Sequence, residues 1–306
     1  MITRKLVLPK SSTPIPIKAL TKAMNSGGLN LTLPDEQNIP SEDMGDYTWL
    51  IYGAKKIGKS SLAAQFPDAL FLMFEPGGKA LRTYQADCKT WKHALEYLKL
   101  LEKAKPLKYK TIVIDTGFEA YQKCFAYVCD ENNIEYPRED NFGKDWKKID
   151  TEFRNFHNRI AALDLGLVVL CHENLKESQT RTGNKFDMVV PNLPKAADSY
   201  YRAVIDNVCW YHYRASQRFL LIKGSDYAMA GTAVQADEHF LTKDGEQIFA
   251  VPMGTSAKQA FGFLEAAFGN SQVSTFEKET ELFVQEAIKV SVNDKLRKEA
   301  KKKNRG

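Results

Sequence analysis

The sequence predicts an α/β fold in which a mostly parallel central sheet is flanked by helices, and three observations carry that prediction. Continuous apolar runs alternate with longer stretches of helical spacing from residue 46 onward, the texture of strands buried on both faces and joined by helices. Three of those runs lead into polar or acidic residues: Ala69–Phe74 before Glu75, Thr111–Ile114 before Asp115, and Gly166–Cys171 before His172 and Glu173. Between a first strand-like run, Tyr47–Tyr52, and a helix-like run beginning at Lys59 lies Gly53-Ala54-Lys55-Lys56-Ile57-Gly58-Lys59-Ser60, which fits all eight positions of the P-loop pattern.

Taken in order, residues 1–45 combine Pro9, Pro14, Pro16, Pro34 and Pro40 with Ser, Asn and the Gly27-Gly28 pair and show no sustained period, which predicts an irregular N-terminal arm. Ile15–Leu20 within it reads either as a short docking segment or as irregular chain. Residues 46–270 form the expected α/β domain. After the P-loop come a buried strand at 69–74 with a sharp turn at Glu75-Pro76-Gly77-Gly78, a helix over 91–101 and a buried strand at 111–114. Next are a helix over 117–131 and another over 146–163, whose Ile149, Phe153, Phe156 and Ile160 share one face. The fourth buried strand is expected to end at Cys171.

Beyond Asn174 the spacing predicts a hairpin, 175–180 and 186–190 about the basic tip 181–185, then strands over 204–213 and 219–222. Two C-terminal helices are expected, 257–268 and 275–303, the second within a segment 271–306 that ends in a basic tail.

Charge and cysteines set the outer bounds. The net charge is +5, yet Lys295–Gly306 alone holds seven basic residues and one acid, so it carries +6 and the rest of the chain is balanced near zero. Such a tail is either a solvated helix end or a surface for nucleic acid or a partner. Five cysteines, odd in number and without paired ligand spacing, argue for reduced core thiols and against a zinc site. No run of about 20 apolar residues and no signal-peptide stretch is present, so a cytoplasmic protein is expected.

A glycine-rich turn after a buried strand aims backbone N–H groups at a phosphate, and the following helix adds its positive dipole end. Gly53, Ala54, Lys55, Lys56, Ile57, Gly58, Lys59, Ser60 and the next residue, Ser61, are therefore the expected nucleotide cradle, with ATP the default nucleotide because no guanine-selecting pattern occurs. Lys59 would neutralise the β- and γ-phosphates and Ser60 would offer its hydroxyl to Mg2+. Asp115, at a strand end, is the expected metal-supporting carboxylate. Glu75 is placed to orient and deprotonate the attacking water. His172 and Glu173 stand where the presence of γ-phosphate would be felt and passed to the hairpin.

The order P-loop, Phe74-Glu75-Pro76-Gly77-Gly78, Ile112-Val113-Ile114-Asp115-Thr116 and Val169-Leu170-Cys171-His172-Glu173 resembles the RecA-like recombinase core. Within that class it is most similar to small P-loop ATPases of bacteriophages, some of which act in single-strand annealing and recombination; Phe142–Trp146 and Pro191–Lys195 also resemble segments of them. The resemblance spans 48–213. It implies a RecA-like P-loop NTPase with Lys59, Glu75, Asp115 and Glu173 in catalysis and His172 with Glu173 as the γ-phosphate sensor, although the family often carries an amide at that step. It further implies that Lys176, Arg181 and Lys185 in the hairpin bind single-stranded DNA. Subunits would assemble into a ring or filament, with a single-stranded DNA-binding protein as a further partner.

A site completed across a subunit boundary would draw a positive side chain from Arg202, Arg214, Arg218 or Lys223. Two other classes compete with a recombination ATPase: a protein-directed switch such as a helicase-loader component, and a small-molecule kinase. Glu75 and the lack of an acceptor motif argue against the kinase.

Overall fold

The structure, a computed structural model, describes residues 39–271 apart from 138–142, 180–184, 215, 235–238 and 243, together with 33, 35 and 37. The proposed docking segment at 15–20, the hairpin tip with Arg181, and the helix at 275–303 with its basic tail lie outside the described residues.

Among the described residues ten strands form the sheet: β1 (Thr48–Gly53), β2 (Ala69–Met73), β3 (Tyr84–Asp87), β4 (Thr111–Asp115), β5 (Gly166–Gln179), β6 (Lys185–Pro191), β7 (Asn207–Arg214), β8 (Gln217–Leu221), β9 (Gly231–Thr232) and β10 (Ala250–Pro252). Their order is β10-β8-β7-β1-β5-β4-β2-β3, with β6 on β5 and β9 on β7. All pairs from β7 through β1, β5, β4 and β2 to β3 are parallel, whereas β8, β10, β6 and β9 add antiparallel edges. The expected α/β fold, a mostly parallel sheet flanked by helices, is what the chain adopts.

Each sheet face has its own core. Leu50, Tyr52, Ile114, Val169 and Cys171 point to one side, covered by α2 (Trp91–Lys103), α3 (Gly117–Glu131), α4 (Lys144–Ala161) and α5 (Lys195–Val204). Trp49, Ile51, Val113, Leu170 and Tyr211 point to the other, covered by α1 (Lys59–Ala63) and α6 (Ala257–Phe268). This is the two-residue alternation of strands buried on both faces. The helices follow from their spacing and caps. In α4, Ile149, Phe153, Phe156 and Ile160 are all buried, each contributing about 1.5–3 kcal/mol by leaving water. Thr90 caps α2 by accepting from the His93 amide, and Ser256 with Gln259 forms a capping box on α6. All five cysteines are free and buried.

The sheet differs from expectation at several places, and β9 and β10 were not foreseen at all. β5 does not end at Cys171: it runs unbroken to Gln179, buried through Cys171 and increasingly exposed beyond it, because β6 pairs with its outer half and supplies the ladder there. The strand expected from Val204 starts at Asn207. Before it lies the unforeseen α5, whose Ala197, Tyr200 and Tyr201 recur at helical spacing and are buried. β3 also escaped notice, since only Ala86 of its four residues is buried.

Candidate active site

The P-loop leaves β1 at Gly53, where glycine is required by a neighbour: a Cβ there would stand 2.0 Å from the Tyr211 carbonyl oxygen of β7. At Gly58 the requirement is conformational, with φ at +113°, a region that disfavours side chains. Ile57 is 2 % exposed in the core beside α1 and anchors the loop, while Lys55 and Lys56 are exposed and Ala54, Ser60 and Ser61 half-buried. The Lys59 ammonium lies inside the loop's curve, donating to the carbonyl oxygens of Gly53 at 2.9 Å and Ala54 at 2.8 Å.

Three neighbouring strands, β2, β4 and β5, bring groups to that lysine. The Ser60 hydroxyl donates to Asp115 Oδ2 at 2.8 Å. The Phe74 amide donates to the Asp115 carbonyl at 2.7 Å, which brings the start of the Glu75 turn beside the end of β4. His172 Nδ1 is 3.5 Å from Lys59 Nζ, and its Nε2 is 3.8 Å from Glu75 Oε1. An ammonium has no acceptor, so Nδ1 is the accepting nitrogen and Nε2 carries the proton facing Glu75. Lys59, Ser60, Glu75, Asp115 and His172 thus share one place at the carboxyl ends of the strands, where open α/β sheets bind ligands.

Burial unsettles every charge in this group. It lowers the Lys59 pKa, with Asp115 opposing as the next influence. It raises that of Asp115 against the Ser60 hydrogen bond and that of Glu75, to which Glu119 adds. The His172 pKa falls through burial and then through Lys59 and Lys55. Glu119, on the first turn of α3, is an acid near the site that the strand-end pattern did not single out.

Glu173 is placed differently. By the alternation of β5 it projects to the opposite sheet face from His172, and its Oε2 accepts from Trp210 Nε1 at 2.8 Å. Lys176 is exposed on the outer half of β5, and Lys185 pairs with Glu177 at 2.8 Å. Of the basic residues considered for a subunit boundary, Arg202 pairs with Asp198 and Lys223 donates to Gln247. Arg218 instead lies against this chain's own P-loop: its Nη1 would be 3.2 Å from a Cβ on Gly58. A cavity of about 550 Å3, lined by Asp46, Thr111, His157 and Asp206 among others, opens at the far, amino-terminal edge of the sheet and has no part in this chemistry.

The donor set fits a nucleotide with a divalent cation. No cluster of three or more His, Cys, Asp or Glu side chains suited to a metal is present among the described residues, and Mg2+ needs none, because it is held by one or two protein oxygens with water and phosphates completing the octahedron. The Ser60 hydroxyl and the Asp115 carboxylate are such hard oxygens. A desolvated lysine beside a desolvated carboxylate is balanced by two further charges, phosphate at the first and a cation at the second.

The family described as AAA domain matches residues 46–244, well over half of the chain. The chain belongs to this family. It is a P-loop ATPase. A comparison with curated proteins finds no match. Among solved structures, the KaiC-like protein PH0186 from the hyperthermophilic archaeon Pyrococcus horikoshii OT3 is similar at 12% identity and a TM-score of 0.34, over 70% of this chain and 87% of that one. In this AAA-family ATPase no described helix is long and apolar enough to cross a membrane.

Proposed function

We propose that this ATPase works as a RecA-like, phage-type protein that binds single-stranded DNA and uses ATP with Mg2+ to assist annealing, recombination or repair. Lys59 would hold the β- and γ-phosphates, Ser60 and Asp115 would hold Mg2+, which would neutralise charge on the phosphates, and Glu75 would take the proton of the attacking water. The observation that carries the coupling is the continuity of β5. The strand that brings His172 to within 3.5 Å of Lys59 extends without a break into the hairpin bearing Lys176 and Lys185. A change at the phosphate end is thereby transmitted along one rigid element. Copies of the chain assemble along the strand, and a single-stranded DNA-binding protein is a further partner.

A second reading, a protein-directed switch, is favoured by the chemistry of the same hairpin. Leu175 is 67 % exposed there, and Glu177 neutralises Lys185, so the described surface is more balanced than phosphate binding requires. The test is release of phosphate from ATP with and without single-stranded DNA, with Lys59→Ala as the blank. Stimulation by DNA supports the first reading; turnover indifferent to DNA together with a stable protein complex moves the function to the second.

A further inference from the structure

The γ-phosphate end of the site is fixed by Glu75, Asp115 and His172, all on the β5-β4-β2 side of β1. A triphosphate held in the loop 53–60 with its terminal phosphate on that side leads its nucleoside the other way, toward β7 and β8. There, Tyr211 is level with Gly53 in the parallel register, and Tyr213 stands two residues further, about 7 Å along the strand. Arg218 is directly opposite Tyr213 in the antiparallel pair. Alternation puts Tyr211, Tyr213 and Arg218 on the sheet face that carries α1, and the contacts agree: a Cβ on Gly58 would meet Arg218 Nη1 at 3.2 Å and the Tyr211 hydroxyl at 3.9 Å.

The guanidinium is held in place. Arg218 Nε and Nη2 both donate to the Gly254 carbonyl, at 3.2 and 2.9 Å, a fork that fixes the plane of the group while Nη1 remains against the P-loop. Tyr213, by contrast, is 58 % exposed. The two neighbours also act on Tyr211 electrostatically, Arg218 lowering and Tyr213 raising its pKa beneath the dominant effect of burial. An exposed aromatic ring and an aligned arginine beside a phosphate loop are the two groups a nucleotide's uncommitted end requires, a stacking face and a donor.

We propose that Tyr213 and Arg218 form the nucleoside end of the ATP site, with the Tyr213 ring lying against the purine and Arg218 Nη1 donating to the α-phosphate. The assignment rests on the ATPase reading of the P-loop and is independent of DNA. It makes Tyr213 a determinant of nucleotide affinity that phosphate-only ligands do not sense.

Titration of the full-length protein with MgATP and, separately, with magnesium tripolyphosphate, which lacks the nucleoside, tests it. Tyr213→Ala is expected to weaken ATP binding at least about five-fold and leave tripolyphosphate binding unchanged, while Tyr213→Phe keeps both. Arg218→Ala is expected to weaken both ligands. An ATP affinity unchanged in Tyr213→Ala overturns the proposal, as does an equal loss of both ligands in that variant. Wild-type protein that binds neither ligand would overturn the ATPase assignment beneath it, an outcome distinct from either.

Discussion

The Ser60 hydroxyl donates to Asp115 Oδ2 at 2.8 Å, joining the first turn after the P-loop to the end of β4. Fifty-five residues separate the two in sequence, so the bond is a product of the sheet, which sets one strand, β5, between β1 and β4. The pair supplies two oxygens at one point, and each depends on the other for orientation. Asp115→Asn retains an acceptor for Ser60 while removing the charge. We expect it to keep the fold and to lose at least about 100-fold in ATP turnover, with a raised requirement for Mg2+ in a phosphate-release assay. Turnover near wild type at the same Mg2+ concentration would take Asp115 out of the metal site.

Glu75 is half-buried, and burial raises its pKa, which suits a group that must accept a proton during turnover. Glu75→Gln is nearly isosteric and leaves the Phe74 amide bond to Asp115 in place. The expected result is a loss of about 100- to 10,000-fold in hydrolysis with ATP affinity retained, read by phosphate release and by equilibrium binding. Equal losses in affinity and turnover would instead make Glu75 a residue that shapes the loop.

How far the sequence revealed this site depends on the element. The P-loop, Asp115 and Glu75 were legible because each closes a continuous apolar run, and a strand buried on both faces admits no other pattern. The helix expected at 257–268 is α6. Glu173 was not legible, because adjacency to His172 in sequence means opposite faces on a strand that continues, and the continuation of β5 is imposed by β6 rather than by its own residues. Arg218 was read only as a subunit-boundary candidate for a related reason: it meets this chain's own P-loop only through the pairing of β7 with both β1 and β8. α5 was not foreseen, and its last residue, Val204, was read as the start of the next strand because valine favours strands in isolation; burial of Ala197, Tyr200 and Tyr201 on one face holds the helix instead.

Gly53 tests the packing that builds the loop. With a Cβ 2.0 Å from the Tyr211 carbonyl oxygen, Gly53→Ala must part β1 from β7 or shift the loop, at a cost of about 3 kcal/mol. Chemical denaturation is expected to show that loss together with impaired ATP binding. Unchanged stability would mean that the two strands separate freely at this end.

The basic tail offers a test by salt. Lys295–Gly306 carries +6, and each phosphate it neutralises releases counterions. Removal of these residues is expected to weaken single-stranded DNA binding strongly at low salt and little at high salt, lowering the slope of log affinity against log salt. Identical slopes for the two forms would remove the tail from DNA binding.

Two buried histidines, His157 and His212, weaken the fold in acid. His157 is 1 % exposed, with Nδ1 at 2.8 Å from the Phe153 carbonyl and Nε2 at 2.8 Å from the Tyr201 hydroxyl. A carbonyl only accepts, so Nδ1 holds a proton, and in the neutral ring Nε2 accepts from Tyr201. Burial pushes its pKa down to about 4, the Phe153 carbonyl opposing, whereas in the unfolded chain the value is about 6.5. Between these values the unfolded state binds the extra proton, so the contribution is fully present above about pH 6.5 and is lost as pH falls toward 4, a change on the order of 3 kcal/mol. His212, also held near 4 chiefly by burial, acts in the same window and direction. Unfolding free energies measured from pH 7 to 4.5 should therefore decline, and His157→Gln, which can donate to Phe153 and accept from Tyr201, should flatten part of that decline. A variant with the wild-type slope would show that His157 does not hold its neutral form against acid.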